Sequence, residues 1–99
     1  MYATIRRYKG NLGIADEFTR RSEEVTSAIG KAPGFIAYYA VKTDEGITSV
    51  TVCEARTGAE ESNRIAADWI KQYMPSFTSQ PPEVLAGDVI VTTTAKVHA

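Results

Sequence analysis

Residues 33–54 read PGFIAYYAVKTDEGITSVTVCE, and they decide the fold. Two runs rich in aromatic and β-branched residues, 35–42 and 47–54, flank the short loop Thr43-Asp44-Glu45-Gly46. Such residues favour strands because branched or flat side chains pack on a pleated surface. A glycine closing so short a loop supplies the left-handed residue a tight hairpin needs. The stretch is therefore expected to form a β-hairpin. Its first strand lacks the apolar-in, polar-out alternation of a one-sided sheet. Phe35, Ala37, Tyr39 and Val41 share one face; Ile36, Tyr38 and Ala40 share the other, and both are apolar.

A helix is expected on each side of the hairpin. Upstream, Ile14, Phe18, Val25 and Ile29 recur at helical spacing over 14–29, with Ser22 filling the gap in the stripe. Asp16–Arg20 and Glu17–Arg21 stand four apart on this helix, and Gly30 followed by Pro33 ends it. Downstream, Thr57 and Glu60 have the spacing of a capping box that opens a helix over 57–73, which Pro75 finishes. Glu60–Arg64 is a further i,i+4 pair. Residues 2–8 and 84–93 read as outer strands, joined to the helices by a turn over 9–13 and a loop over 76–83. Gly87-Asp88 marks a bulge or bend, and 94–99 a loose tail. The order is βαββαβ, an α+β domain. Two helices cover one face of a four-stranded sheet. The apolar second face of 35–42 then needs cover of its own, and a second copy supplies it, so a homodimer is expected.

The chain of 99 residues has the size of one domain, and the expected domain spans 1–99. A domain this small buries roughly two-thirds of its unfolded surface, which leaves it marginal alone. Net charge is −1, with both signs interspersed, so neither a nucleic-acid footprint nor a polybasic membrane patch is present. The single cysteine, Cys53, excludes an internal disulfide and suits a reducing compartment. The first residues alternate like a strand without a long apolar core, so no signal peptide is expected. No apolar run approaches the ~20 residues of a membrane span. A cytoplasmic protein is expected.

Pro33-Gly34-Phe35 opening the hairpin and Cys53-Glu54 before a helix, within this order of elements, resemble the dimeric α/β-barrel superfamily, in particular its antibiotic biosynthesis monooxygenase-like branch. The resemblance covers roughly 1–93. It implies a ferredoxin-like subunit with a four-stranded antiparallel sheet, packed sheet to sheet in a dimer, with a pocket between sheet and helices. It implies either of two functions. One is a monooxygenase without cofactor acting on a small aromatic substrate. The other is a non-catalytic dimeric ligand-binding or stress-associated module. The chain departs from the pattern at two places. Many relatives carry a histidine in the second helix, four residues after a small one; counting from Ala59, that position is Asn63. Arg56 stands where an aromatic residue is frequent. The sole histidine is His98, so a haem-degrading role lacks its usual axial ligand.

The candidate residues follow from the pattern. Asn63 falls at the edge of the core-facing arc Ala59, Ala66, Ile70, Tyr73, where a polar amide must find partners. It either ties the helix to a neighbouring loop or orients a ligand. Trp69, on the other edge, either packs the core or forms a flat pocket wall. Tyr38 and Tyr39 alternate, so one faces the helices and could offer its hydroxyl to a ligand. Arg6 and Arg7 alternate likewise. A covered arginine wants a carboxylate, for which Glu54 is the candidate, or else holds an anionic substrate. Cys53 reads as a small buried hydrophobe. No metal-ligand spacing, phosphate loop or nucleophile elbow is present.

Overall fold

A computed structural model describes residues 1–10, 13–77 and 81–95. The elements run β1 (Tyr2–Lys9), α1 (Gly13–Arg20), α2 (Ser22–Ile29), β2 (Phe35–Thr43), β3 (Gly46–Cys53), α3 (Arg56–Tyr73) and β4 (Glu83–Asp88), with one 3₁₀ turn at Pro75–Phe77. The sheet is antiparallel throughout, in the order β2-β3-β1-β4. This is the ferredoxin-like arrangement, α+β as the sequence predicts. Parts of the turn over 9–13, of the loop over 76–83 and of the tail with His98 lie outside the described residues. Among the described residues, no helix is long and apolar enough to cross a membrane.

The expected first helix is two. Arg21, at φ −107° and ψ 28°, leaves helical geometry between α1 and α2. The ladder still closes across it, Arg21 N–H to Glu17 C=O at 2.9 Å and Val25 N–H to Arg21 C=O at 3.0 Å. Hydroxyls flank the bend: Thr19 donates to the Ala15 carbonyl and Thr26 to that of Ser22. Such back-bonding bends a helix. Around the bend Glu17 pairs with both Arg20 and Arg21, in place of the expected Asp16–Arg20 pair.

The capping box does not form. Helix α3 begins at Arg56, its N-cap Ala55 is extended without a side-chain cap, and Thr57 lies inside the first turn. Glu60 is engaged by Arg56 at 2.7 Å rather than reaching back to the backbone, and Arg64 pairs with Glu61 and Asp68. Strand β4 is shorter than expected: it pairs with β1 through Asp88, and just beyond it Val89 N–H donates to the Met1 carbonyl. The register is unbroken at Gly87 and Asp88, so no bulge lies there. It lies in β2, where Ile36 is extra between Phe35, opposite Cys53, and Ala37, opposite Val52. That bulge detaches Phe35 from the face it was expected to share with Ala37, Tyr39 and Val41.

All helices lie on one face. The core is Tyr8, Ile14, Phe18, Val25, Ile29, Ile47, Ala66, Trp69, Ile70 and their neighbours. The open face carries the row Tyr39–Val50–Ile5–Leu85, one residue from each strand. Its ends are exposed, Tyr39 at 65 % and Leu85 at 54 %.

One close approach fixes α3. A Cβ on Gly58 would stand 2.0 Å from the Pro33 carbonyl oxygen. Gly58→Ala must push the first turn of α3 off the 33–34 loop, as overpacking does. The expected loss is about 1–3 kcal/mol, read as a Tm lower by about 4–8 °C per kcal/mol. A Tm at or above that of the wild-type protein in thermal denaturation would contradict this packing.

Candidate functional site

On the helix side, the centre of the sheet is polar. Strand β1 directs Thr4, Arg6 and Tyr8 there by simple alternation, and β3 directs Ser49, Thr51 and Cys53. Pairing sets Arg6 opposite Ser49 and Thr4 opposite Thr51. Helix α3 lays Ser62 and Asn63 over them. Arg6 is only 2 % exposed and is the largest of the fully buried side chains.

Its partners are all neutral. Nη1 donates to Asn63 Oδ1 at 3.0 Å and to Ser62 Oγ at 3.4 Å; Nη2 donates to Thr51 Oγ1 at 2.9 Å. Thr4 Oγ1 donates to the same Asn63 oxygen at 3.0 Å, and Ser62 Oγ donates onward to the Ala59 carbonyl. Among the described residues no carboxylate pairs with Arg6. Glu54, the expected partner, is exposed just past β3. Among the described residues two buried polar atoms, Arg6 Nε and Ser49 Oγ, meet no partner at good hydrogen-bond geometry, although the Tyr38 hydroxyl lies close enough to both side chains to interact with them. Burial raises the pKa of Tyr8, with Arg6 opposing in part. Burial likewise pushes Tyr38 up to about 12, again against Arg6. Both phenols are therefore neutral near pH 7 and leave the guanidinium charge uncompensated. A buried ion without a counter-charge costs several kcal/mol.

Beside Arg6, between Tyr8, Phe18, Tyr38, Ala66 and Trp69, lies a void of about 10 Å³. That is about the room one water requires. Trp69 meets Phe18 edge-on at 5.7 Å and Tyr73 at 5.3 Å. On the far side of Tyr38, a cleft of about 440 Å³ opens between α1, α2 and the edge strand β2.

No protein-family model matches the sequence, and no curated protein sequence matches it. Solved structures do. A protein of unknown function from Nitrosomonas europaea is similar over 96 % of this chain and 94 % of its own, with 14 % identity and a TM-score of 0.73. The haem degrader MhuD from Mycobacterium tuberculosis, solved with two haems in its active site, matches 95 % of this chain and 100 % of its own at 18 % identity and TM-score 0.67. A monooxygenase from Streptomyces coelicolor, solved with the ligand nanaomycin D, matches 96 % and 91 % at 11 % identity and TM-score 0.63. The chain shares the fold of these proteins. At such identities the likeness carries the fold and no reaction.

Within this shared fold, the residues singled out in the sequence part company. Arg6, Asn63, Trp69 and Tyr38 converge on the buried site. Asn63 ties α3 to β1, not to a loop. Arg7 points to the open face and pairs with Glu83 at 2.9 Å. Tyr39 stands on that same face, at the rim of the cleft. Thr4, Tyr8, Ser49, Thr51 and Ser62 belong to the site and were not singled out. Their signal was the alternation Thr4-Arg6-Tyr8 against Ser49-Thr51, polar positions in register on one face. Cys53 is buried, and desolvation raises its thiol pKa, so it is no nucleophile.

Asn63→Asp tests whether the charge is uncompensated, since it adds a carboxylate of the same shape beside Arg6. The gain at pH 7 is expected to be about 1.5–3 kcal/mol. The guanidinium holds the new carboxyl below its unfolded value of ~3.9. The gain is therefore present above about pH 4 and is lost as pH falls through the folded pKa. Urea unfolding at pH 7 and pH 3 measures it; no gain at pH 7 would mean that the charge is already balanced.

Proposed function

We propose that this chain is a homodimeric small-molecule protein of monooxygenase-like type whose helix-side site holds the ionised oxygen of an electron-rich aromatic ligand. The observation that carries this reading is Arg6, 2 % exposed and, among the described residues, without a carboxylate partner. A ligand phenolate or enolate would supply the missing counter-charge. In a dry site such a pairing lowers the ligand's pKa and stabilises the anion. Asn63 and Ser62 hold the guanidinium in place, and Trp69 and Phe18 offer flat walls. Arg7 and Tyr39, on the open face, take no part in this seat.

The catalytic version needs no cofactor. An ionised phenol is rich enough in electrons to reduce dioxygen itself. Phenol plus dioxygen gives quinone plus water, so atoms and electrons balance with no further reductant. The residues at the seat do not suit haem: among the described residues lining the void there is no histidine. The second reading, a non-catalytic binding module, is favoured by the close packing of Tyr8, Phe18, Tyr38 and Trp69 around that void. In both readings the row Tyr39–Val50–Ile5–Leu85 is the dimer surface, and the single cysteine fits a cytoplasmic setting.

The chain has one tryptophan, so Trp69 fluorescence reports binding directly. Titration with 2-naphthol is expected to quench it in the wild-type protein. Arg6→Met should weaken binding at least ~10-fold, the order of one lost charge-assisted bond. Oxygen uptake matched by quinone formation would select the enzyme; binding without uptake selects the module; no binding to the wild-type protein rejects both. For the dimer, the solution mass is expected at twice 10.8 kDa, and Leu85→Lys should halve it.

A further inference from the structure

Unpartnered polar atoms of the buried site are not scattered. Ser49 pairs with Arg6 on one side and with Ala40 on the other. Ala40, Ser49 and Arg6 therefore form a single row across three strands on the helix side. Its inner end is the orphan Nε of Arg6, and its middle is the orphan Oγ of Ser49. Its outer end is Ala40, a small side chain on the edge strand, which lines the 440 Å³ cleft. Adjacent strands lie about 4.8 Å apart, so the row spans about 10 Å from cleft to cation. In the rows on either side the edge residues are large, Tyr38 opposite Thr51 and Lys42 opposite Ile47. The row with the smallest edge residue is thus the one along which two buried polar atoms lack a well-formed hydrogen bond, with the Tyr38 hydroxyl as their near neighbour.

The cleft has a chemistry of its own. Phe18, Val25 and Ile47 give it an apolar floor, and Thr19, Ser22 and Thr26 bring hydroxyls from α1 and α2. Lys42 is its one charged lining residue among those described, and none of them is acidic. Phe18, Val25 and Tyr38 line both the cleft and the inner void, so the side chain of Tyr38 forms part of the partition between them.

We infer that this cleft is the outer half of the binding site and that it selects a phenol whose aromatic body carries an acidic substituent. This rests on the reading of Arg6 given above. The phenol oxygen enters along the Ala40–Ser49–Arg6 row, accepting from Ser49 Oγ and Arg6 Nε. The ring lies on Phe18 and Val25 beyond Tyr38, and the acidic group stays at the mouth with Lys42. Lys42 is exposed, so its contribution is that of a screened pair. It adds selectivity, while Arg6 adds the affinity.

The experiment compares 2-naphthol with 6-hydroxy-2-naphthoate by Trp69 fluorescence, at low and at high salt. The naphthoate is expected to bind the wild-type protein about 3- to 5-fold tighter at low salt, and the advantage should vanish at ~1 M salt. Lys42→Ala should remove the advantage and leave 2-naphthol binding unchanged; Lys42→Arg should keep it. Ala40→Leu should slow association of both ligands by filling the entry. Two ligands that bind equally to the wild-type protein and to Lys42→Ala would overturn the selectivity while leaving the Arg6 seat standing. Unchanged association in Ala40→Leu would overturn the route. Binding of neither ligand to the wild-type protein would remove the seat, and this inference with it.

Discussion

A guanidinium that is 2 % exposed and, among the described residues, has no carboxylate partner is the constraint around which the helix side of this domain is arranged. Arg6 cannot be left bare, so Thr51, Ser62 and Asn63 turn oxygens toward it. Those oxygens come from two elements, β3 and α3, and meet a side chain of β1, which ties the register of β1 on β3 to the height of α3 above both. Thr4 shares the Asn63 oxygen and binds the same helix to the same strand. The polar cluster thereby positions the layers, and the aromatic packing of Tyr8, Phe18 and Trp69 fills in around it.

This reverses the usual division of labour between the faces of a sheet. A small α+β domain commonly turns its most apolar strand positions toward its helices. Here β3 turns Ser49 and Thr51 inward and Val50 and Val52 outward, and β1 turns Thr4 and Arg6 inward and Ile5 outward. The helix side accommodates a polar cluster, and the open side is left with the aliphatic row. Lack of apolar burial inside and the surplus outside are two aspects of one choice of strand facing.

The order of elements was legible because it depends on periodicity, which short-range sequence carries. The βαββαβ succession, the hairpin and the helix around Asn63 all follow from it. Element ends were less legible because they depend on partners. Strand β4 was expected to run to residue 93 but pairs with β1 only through Asp88, and α3 starts at Arg56, ahead of the expected Thr57, with Gly58 lying under the Pro33 carbonyl. The Ile36 bulge has no local signature and changes the facing of Phe35. Alternation showed that Arg6 and Arg7 part to opposite faces. Which one turns inward was hidden, because hydrophobicity alone would bury Ile5 in preference to Thr4. Tyr38 and Tyr39 posed the same question, and the pairing with Thr51 settles it.

The break at Arg21 bears on how so closed a core could open at all. Two helices of eight residues replace one of sixteen. Isolated helices of that length do not persist in water, so each holds its shape only through what it packs on. Their opening is therefore a local event at the low end of the protein's range of opening free energies, not a loss of the whole fold. Amide hydrogens of α1 and α2 would exchange with solvent well before those of β1 and β3. The wall over the β2 cleft is the least cooperative part of the domain, and the strands that carry Arg6 are the most.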